Sequence, residues 1–419
     1  MSDQCAASGL ESFALSDIAY VEMGQSPDSR YVIEDPFQGV AFLQGNAEFG
    51  AVFPEPKFGC LRPAKMCKAN DVLISVRAPV GAINLADRDY CIGRGLAAIR
   101  GRGIKPSLLG EVVARKSSVL RRVGQGTTFE AINKNDLVSL ALNLPPRTEW
   151  PQIAHILDIL DTAIHETEAI ITKLKAVKQG LLHDLLTRGI DANGELRPPQ
   201  AEAPHLYKGS PLGWIPKQWD LSTVGSEFEI QLGKMLDSQK NAGALKPYIG
   251  NRAVQWDRID LSEVQQVRLS KSDLLRFRLQ RGDLLVCEGG DVGRAAIWED
   301  ELSECYYQKA LHRLRPVRGY RPRLMLELLR YLMSKDALSE YISKTSIAHL
   351  TQEKLAAIPL LTPSGDEQDR IVAEFLAAKH REEAEESYLQ KFGLLKSGLM
   401  DDLLTGRVRV TPLLEGAAP

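Results

Sequence analysis

The longest regular pattern in the chain is a set of apolar residues that step by four and three. Ile153, Leu157, Leu160, Ile164, Ile171, Leu174, Leu181 and Leu185 form one such stripe. It predicts a helix from about Glu149 to Thr187, with a heptad seam broken by polar residues at Thr167 and Lys178. A second stripe runs through Ile371, Phe375, Ala378, Leu389, Phe392, Leu399 and Leu403, with Glu382 and Glu385 on the same register in its middle. Either helix alone would leave its stripe wet. Two of them in one chain most simply pack on each other as an antiparallel pair; the alternative is that each lies on its own globular segment. Lys178 and Lys396 sit where a helix C-terminus favours a cation, and Gly189 and Gly406 suit left-handed caps. Gly180 and Gly398 lie inside the helices, where glycine costs about 1 kcal/mol relative to alanine, so a close approach is expected there, by the partner helix or by another protein. Outside the helices, short apolar runs such as DVLISV (71–76), DLLVCE (283–288) and AAIWED (295–300) predict strands, and 323–344 predicts one further helix. The fold class is α+β.

The two helix endings, KQGLLHDLLT (178–187) and KSGLMDDLLT (396–405), share seven of ten residues. At the same offset of 218, Pro145 meets Pro363, Glu149 meets Glu367 and Ile153 meets Ile371, with twelve identities over the forty-three positions 145–187. Upstream, 70–82 matches 282–294, LAAIR (96–100) matches LHRLR (311–315), and VEMGQSP (21–27) matches IQLGKML (230–236), in the same order and with small changes of offset. The chain is therefore a tandem duplication with pseudo-twofold character. Insertions fall in the globular parts and spare the helices, as expected when a helical seam is the fixed frame. The expected organisation is a first globular domain over 1–144, a spacer helix over 145–190, a linker over 191–211, a second globular domain over 212–361, a second spacer helix over 362–410 and a tail over 411–419. The proline-rich linker region ends in an apolar docking stretch at Trp214, Ile215 and Trp219.

Composition changes this picture little. The length of 419 residues, with 25% charged and 44% hydrophobic residues, is ordinary for a soluble multidomain protein. The N-terminal stretch lacks a secretory pattern and no long apolar run suggests a membrane span. The six cysteines are scattered without a CxxC, and read as reduced thiols of a cytoplasmic protein. Charge adds more. Residues 57–122 hold fourteen Lys or Arg against four acids, 309–323 hold six and no acid, and 366–386 hold eight acids against three bases. Basic globular parts on an acidic frame suit a nucleic-acid reader that docks other proteins through its helices.

No GxxxxGK[ST], GxSxG or HExxH occurs, and the seven histidines never cluster at ligand spacing. No Asn-Pro-Pro-aromatic or Asp-Pro-Pro-aromatic run marks an amino-methyltransferase. The loose GxGxxA at Gly93–Ala98 does not sit in a strand–turn–helix unit and is not read as a cofactor loop. No catalytic or metal-binding residue is expected.

Several segments resemble the specificity subunit of type I restriction–modification systems. LPPRTEWPQIAHILDILDTAI (144–164) and LKAVKQGLLHDLLTRGI (174–190) are similar to that family's central conserved region. LGWIPKQWDLSTVG (212–225) looks like the entry to its second target-recognition domain, and TPSGDEQDRIVAEFL (362–376) with KSGLMDDLLTG (396–406) like its distal conserved region. PYIGNRAVQW (247–256) and GDLLVCEGGDVG (282–293) resemble strand-loop elements of a recognition domain. The likeness covers nearly the whole chain; the charged run 382–386 is a departure from the apolar middle usual in the second helix. The resemblance implies two target-recognition domains separated by two long helices packed as an antiparallel coiled coil. It implies a chain without chemistry of its own that reads a split site in double-stranded DNA. A helix of about 38 residues spans about 57 Å, more than one DNA turn of about 34 Å. The implied partners are two modification subunits, which methylate adenine with S-adenosylmethionine, and two restriction subunits, which use ATP and magnesium. No cofactor is expected on this chain and no membrane. Two rival readings are a single-chain DNA-modifying enzyme and a helical scaffold that never touches DNA.

Base edges are read mostly by Arg, Lys, Asn, Gln and Glu. In the loops after matched strands, the candidates are Gln44, Asn46, Arg77, Arg94, Gln125, Thr127 and Thr128 in the first half. In the second half they are Asn251, Arg252, Gln255, Glu288, Gln308, Lys309, His312, Arg313, Ser346 and His349. Arg121 and Arg122 read better as phosphate contacts.

Overall fold

The computed structural model describes residues 9–124, 131–237, 241–344 and 348–411. The chain divides into two compact units: Met1–Ala169 with Glu386–Pro419, and Ile170–Glu385. Each unit draws one globular segment and one half of each long helix.

In the first unit, β1 (Glu11–Ala14) leads through a one-turn helix into β2 (Ala19–Met23). Nine further strands follow: β3 (Val32–Ile33), β4 (Val40–Leu43), β5 (Phe58–Cys60), β6 (Met66–Cys67), β7 (Val72–Ser75), β8 (Ile83–Leu85), β9 (Tyr90–Ile92), β10 (Leu96–Gly101) and β11 (Ala141–Leu144). Helices α1 (Pro106–Ala114), α2 (Ser117–Gly124) and α3 (Lys134–Val138) lie between β10 and β11, and α4 (Trp150–Thr187) is the first long helix. An antiparallel sheet of order β2-β10-β7-β8 stands beside a five-stranded sheet of order β3-β5-β4-β9-β6, in which β4 and β9 are parallel. Strand β1 closes on β11. Alternation explains the layers. Ala97 and Ile99 of β10 face a core with α1 and the start of α4, through Leu109, Val113, Trp150 and Ile153. Leu96 and Ala98 face the other way, onto Leu43, Tyr90 and Ile92 of the second sheet.

The second unit repeats this design. After the hairpin β12 (Tyr207–Ser210) and β13 (Gly213–Pro216) come β14 (Asp220–Thr223), β15 (Phe228–Leu232), β16 (Ala244–Ile249), β17 (Val254–Gln255), β18 (Arg258–Ile259) and β19 (Gln265–Leu269). Then follow α5 (Lys271–Arg276), β20 (Leu284–Cys287), β21 (Ala295–Ile297), β22 (Tyr306–Tyr307), β23 (Leu311–Pro316) and α6 (Pro322–Ser334). The ribbon β24 (Ser343–Lys344) and β25 (Ala348–His349), helix α7 (Gln352–Ala357), β26 (Pro359–Thr362) and the second long helix α8 (Gly365–Leu404) complete it. The order β15-β23-β20-β21 copies β2-β10-β7-β8, β14 pairs with β26 as β1 does with β11, and β16 and β22 are parallel as β4 and β9 are. Each main sheet is pinned by the same ion pair, an arginine on a buried aspartate. Asp71 takes Arg100 at 2.7 and 2.8 Å, and Asp283 takes Arg315 at 2.7 Å twice. Both guanidiniums are held charged above their ordinary pKa by that carboxylate.

The long helices run antiparallel within each unit. In the first, Lys396 of α8 meets Asp161 of α4 at 2.6 Å, and Met400, Leu403 and Leu404 join the core of Trp150, Ile153 and Leu157. In the second, Lys178 of α4 meets Glu382 of α8 at 2.8 Å, and Ile371 and Phe375 join Leu185 and Leu186. Each helix half also packs on its own globular segment, so the two packing schemes are combined. The polar breaks belong to the seam: Thr167 is buried and bonds the Ala163 carbonyl, and the acidic middle of α8 is answered by Lys178. Behind each long helix the chain folds back through a left-handed glycine, Gly189 or Gly406. It then places an arginine on a buried glutamate near the start of the opposite helix. Arg197 holds Glu367, and Arg409 holds Glu149.

Three expectations are corrected. The helix expected over 323–344 ends at Ser334, where Lys335 caps it and Asp336 turns left-handed at φ 53°. At Gly180 and Gly398 an added Cβ would meet nothing within 4 Å among the described residues, so of the two expected neighbours, the partner helix and another protein, the partner helix is not the one that approaches; both glycines are open to the outside. Of the docking stretch, Ile215 and Trp219 are buried but Trp214 is exposed. The five described cysteines are free, and burial pushes the thiols of Cys67 and Cys305 up to about 12. Among the described residues no helix is long and apolar enough to cross a membrane.

Candidate nucleic-acid interface

At one end of each main sheet, loops from strands distant in sequence are bonded into a cluster. In the first unit Gly24 N–H donates to Leu96 O (2.8 Å) and Gln25 N–H to Ile92 O (2.9 Å). Gly93 N–H donates to Leu43 O (2.8 Å), Leu96 N–H to Gly93 O (3.0 Å) and Val76 N–H to Gly95 O (2.9 Å). Gly81 N–H donates to Ser75 O and Ile132 N–H to Val76 O, both at 2.9 Å. The second unit repeats the lattice bond for bond. The donors are Gly233, Lys234, Gln308, Leu311, Glu288, Gly293 and Leu350; the acceptors, in the same order, are Leu311, Tyr307, Ile249, Gln308, Ala310, Cys287 and Glu288. Even the isolated bridge Arg77–Ala131 has its counterpart in Gly289–His349.

These bonds use peptide groups alone, so the lattice needs no particular side chain at most of the loop positions. The side chains do differ. Arg94 stands where the second unit has Lys309, Gly93 where it has Gln308, Gln25 where it has Lys234, Arg77 where it has Gly289, and Asn46 where it has Arg252. Two glycines make the convergence possible. A Cβ on Gly24 would collide with the Gly93 carbonyl, and one on Gly233 with that of Gln308.

The structure brings together most of the residues expected to read DNA. In the first unit Gln44, Asn46, Arg77 and Arg94 lie in the cluster, and Gln44, Arg77 and Arg94 are exposed. Arg121 lies beside it, its Nε donating to Val80 O at 3.2 Å, while Arg122 bonds back to Ser118 O at 3.3 Å. In the second unit Asn251, Arg252, Glu288, Gln308, Lys309 and His349 lie in the cluster, with Arg252 and Lys309 exposed. Gln255 sits apart on the β17–β18 ribbon and donates to Arg252 O at 2.8 Å. Gln125, Thr127, Thr128 and Ser346 lie outside the described residues.

Two candidates are corrected. His312 is fully buried in β23, bonded through Nε2 to Leu350 O at 2.8 Å, and burial holds its pKa below 6.5. Arg313, 2% exposed, pairs with Glu229 at 2.7 Å. Both hold the sheet together inside the domain and present nothing to a groove. The basic run 309–323 is corrected with them: Arg313, Arg315, Arg321 and Arg323 are all taken by carboxylates. The loop of Gln25 and Lys234 was missed, although the matched blocks VEMGQSP and IQLGKML carry it. Lys234 also pairs with Asp273 at 2.9 Å. Gly93–Ala98 forms a strand–turn–strand between β9 and β10. Among the described residues no three His, Cys, Asp or Glu gather as a metal site.

Two copies of a rigid loop platform with exposed cations, each beside half of a helical frame, define a duplicated recognition protein. The family model for the type I restriction modification DNA specificity domain matches residues 8–176 and again 216–380. The chain belongs to that family and carries its domain twice in tandem. It is 38% identical over 167 residues to a putative type I restriction enzyme MjaX specificity subunit of Methanocaldococcus jannaschii; that match covers 39% of each chain. It is 22% identical over 306 residues to the MjaVIII specificity subunit of the same organism, covering 71% of this chain and 69% of that one. Its fold is that of the type I S subunit from M. genitalium, with a TM-score of 0.60 at 15% identity over 94% of this chain and 96% of the other. A chain from a study of complex assembly in the type I R-M system gives a TM-score of 0.53 at 16% identity, over 94% and 97%.

Proposed function

We propose that this chain is the sequence-reading subunit of a type I restriction–modification assembly, and does no chemistry itself. The observation that carries this is the loop lattice, built twice from peptide bonds and furnished with different side chains. Each platform would read one part of a split DNA site: Arg94 and Lys309 supply charge, and Gln44, Asn46, Asn251, Glu288 and Gln308 supply donors and acceptors for base edges. Methylation would be done by modification subunits that carry S-adenosylmethionine. Their docking surface would be the outward stripe of each long helix. In the second unit it holds Ile170, Val177 and the open Gly180; in the first, Tyr388, Leu395 and the open Gly398. Restriction subunits with ATP and magnesium would complete a cleaving complex.

The test is a genome-wide map of methylated adenine with and without the gene. A split motif with a fixed gap should vanish on deletion, and exchange of residues 1–144 should alter one half of it. A motif that survives deletion, or an exchange that alters both halves, would refute the reading.

A further inference from the structure

The two main sheets can be compared rung by rung, because Tyr20 pairs with Arg100 as Glu229 pairs with Arg315. On that register Ala98 corresponds to Arg313. In the second unit Arg313 lies buried over the sheet face, against Glu229 at 2.7 Å and the Arg276 carbonyl at 3.4 Å. In the first unit Ala98 and Tyr20 leave the corresponding face open, as a cleft of about 610 Å³. Its walls carry Arg100, Arg102 and Lys134. Arg100 is committed to Asp71. Arg102 and Lys134 are exposed, and among the described residues no carboxylate pairs with either. Arg102 rests its guanidinium 3.5 Å from the centre of the exposed Tyr20 ring, which holds it in place without neutralising it. Glu22, also in the wall, is taken by Lys65. One copy of the duplication thus fills this face with its own cation and anion, and the other leaves a cleft with two unanswered positive charges.

We propose that this cleft seats a backbone phosphate of the DNA strand running on from the bases read by the first unit. This rests on the DNA-reading function above. The placement fits it. Strands β2 and β10 run from the loop cluster at Gly24 and Leu96 to the Tyr20–Arg100 rung, four residues away. That is about 13 Å at about 3.3 Å per residue, or about four nucleotides at about 3.4 Å each. The contact lies beyond the recognised bases and carries no sequence information. It adds affinity, and it does so on one half of the site only.

The test uses the full chain assembled with its modification subunits, and a duplex bearing the mapped motif, over a salt series. Arg102→Gln with Lys134→Gln should make the slope of log affinity against log salt shallower by about 0.9, the share of one phosphate, with the methylated motif unchanged. Tyr20→Glu with Ala98→Arg, which installs the second unit's filling, should produce a similar fall. Duplexes trimmed to end within two base pairs of the first half-site should bind wild type and variants alike. If Arg94→Ala lowers the slope and the cleft variants do not, the cleft proposal is overturned while DNA reading stands. If adenosine monophosphate alone protects the Tyr20 segment from hydrogen exchange and the slope is unmoved, the phosphate is that of a free nucleotide and the DNA contact is overturned. If the wild-type assembly does not distinguish its motif from a scrambled duplex, the DNA-reading function fails and this proposal with it.

Discussion

Removing Arg197 should open the second unit at the join between its linker and α8. The Glu367 side chain is 5% exposed and Arg197 is 8% exposed. The guanidinium donates to Glu367 at 2.5 and 3.0 Å, to the Arg188 carbonyl at 3.0 Å and to the Gln218 side chain at 2.9 Å. In Arg197→Ala the carboxylate would keep the Ile190 N–H at 3.0 Å and no charge. Stranding one member of a buried pair costs about 3–5 kcal/mol. Arg409 provides the internal comparison. Its side chain is 35% exposed and the Thr411 hydroxyl also holds Glu149, at 2.6 Å, so solvent and Thr411 should limit Arg409→Ala to about 1–2 kcal/mol. A chain with two units need not unfold in one step, so the assay is native-state hydrogen exchange on the full chain, which reads local opening. Amides over 186–192 and 365–376 should exchange more than a hundredfold faster in Arg197→Ala. Those over 147–154 should change by about tenfold in Arg409→Ala. Replacing both partners, as Arg197→Met with Glu367→Leu, should recover most of the loss. Equal effects of the two arginine variants, or a double variant no better than Arg197→Ala, would refute the reasoning.

His312 makes the second unit sensitive to acid. Burial lowers its pKa, its Nε2 is engaged with Leu350 O, and its Nδ1 has no partner among the described residues, so the imidazole folds neutral. The stability this contributes is complete above the unfolded value near 6.5 and is lost as pH falls below it, by up to about 1.4 kcal/mol per pH unit. Urea unfolding monitored in the second unit should show that slope between pH 6.5 and 5.5, and His312→Gln, which keeps a donor for Leu350, should flatten it; an unchanged slope would count against the assignment. Gly24→Ala and Gly233→Ala should each force a loop cluster apart, at about 1–3 kcal/mol. Half-site binding should report the damage on one half of the motif per variant; if both halves weaken together, the two clusters are not independent readers.

The frame was legible in the sequence because a heptad repeat states its own geometry. Even Thr167 and Lys178, which look like interruptions, lie on the register and are seam residues in the structure. What spacing could not supply was the answering group: the partner of Lys178 is Glu382, 204 positions away. The same limit misled the reading of 309–323. Counted as composition it is a basic surface, but Arg313 and Arg315 find Glu229 and Asp283 on neighbouring strands. His312 could have been recognised as internal. The match of LAAIR to LHRLR sets it opposite Ala97, on the inward face of a strand buried on both sides. The loop candidates do come to lie near one another, since matched strands deliver matched loop ends. Pairing of loop to loop arises only when parallel neighbours such as β4 and β9 bring them together, and no local pattern announces that.

The loop lattice has a consequence for how such a protein can change over generations. Its bonds are made by peptide groups, and the side chains at positions such as Arg94, Lys309 and Arg252 project away from it. Apart from Gly24, Gly233 and a few others pressed against a neighbour, those positions are nearly free of folding constraint. On the base-reading role proposed for these positions, a lineage could trade one recognised base for another by single substitutions, without passing through an unstable intermediate. Because the platform exists twice, one copy can drift while the other keeps the old preference. The architecture separates what must be inherited intact from what can be gambled.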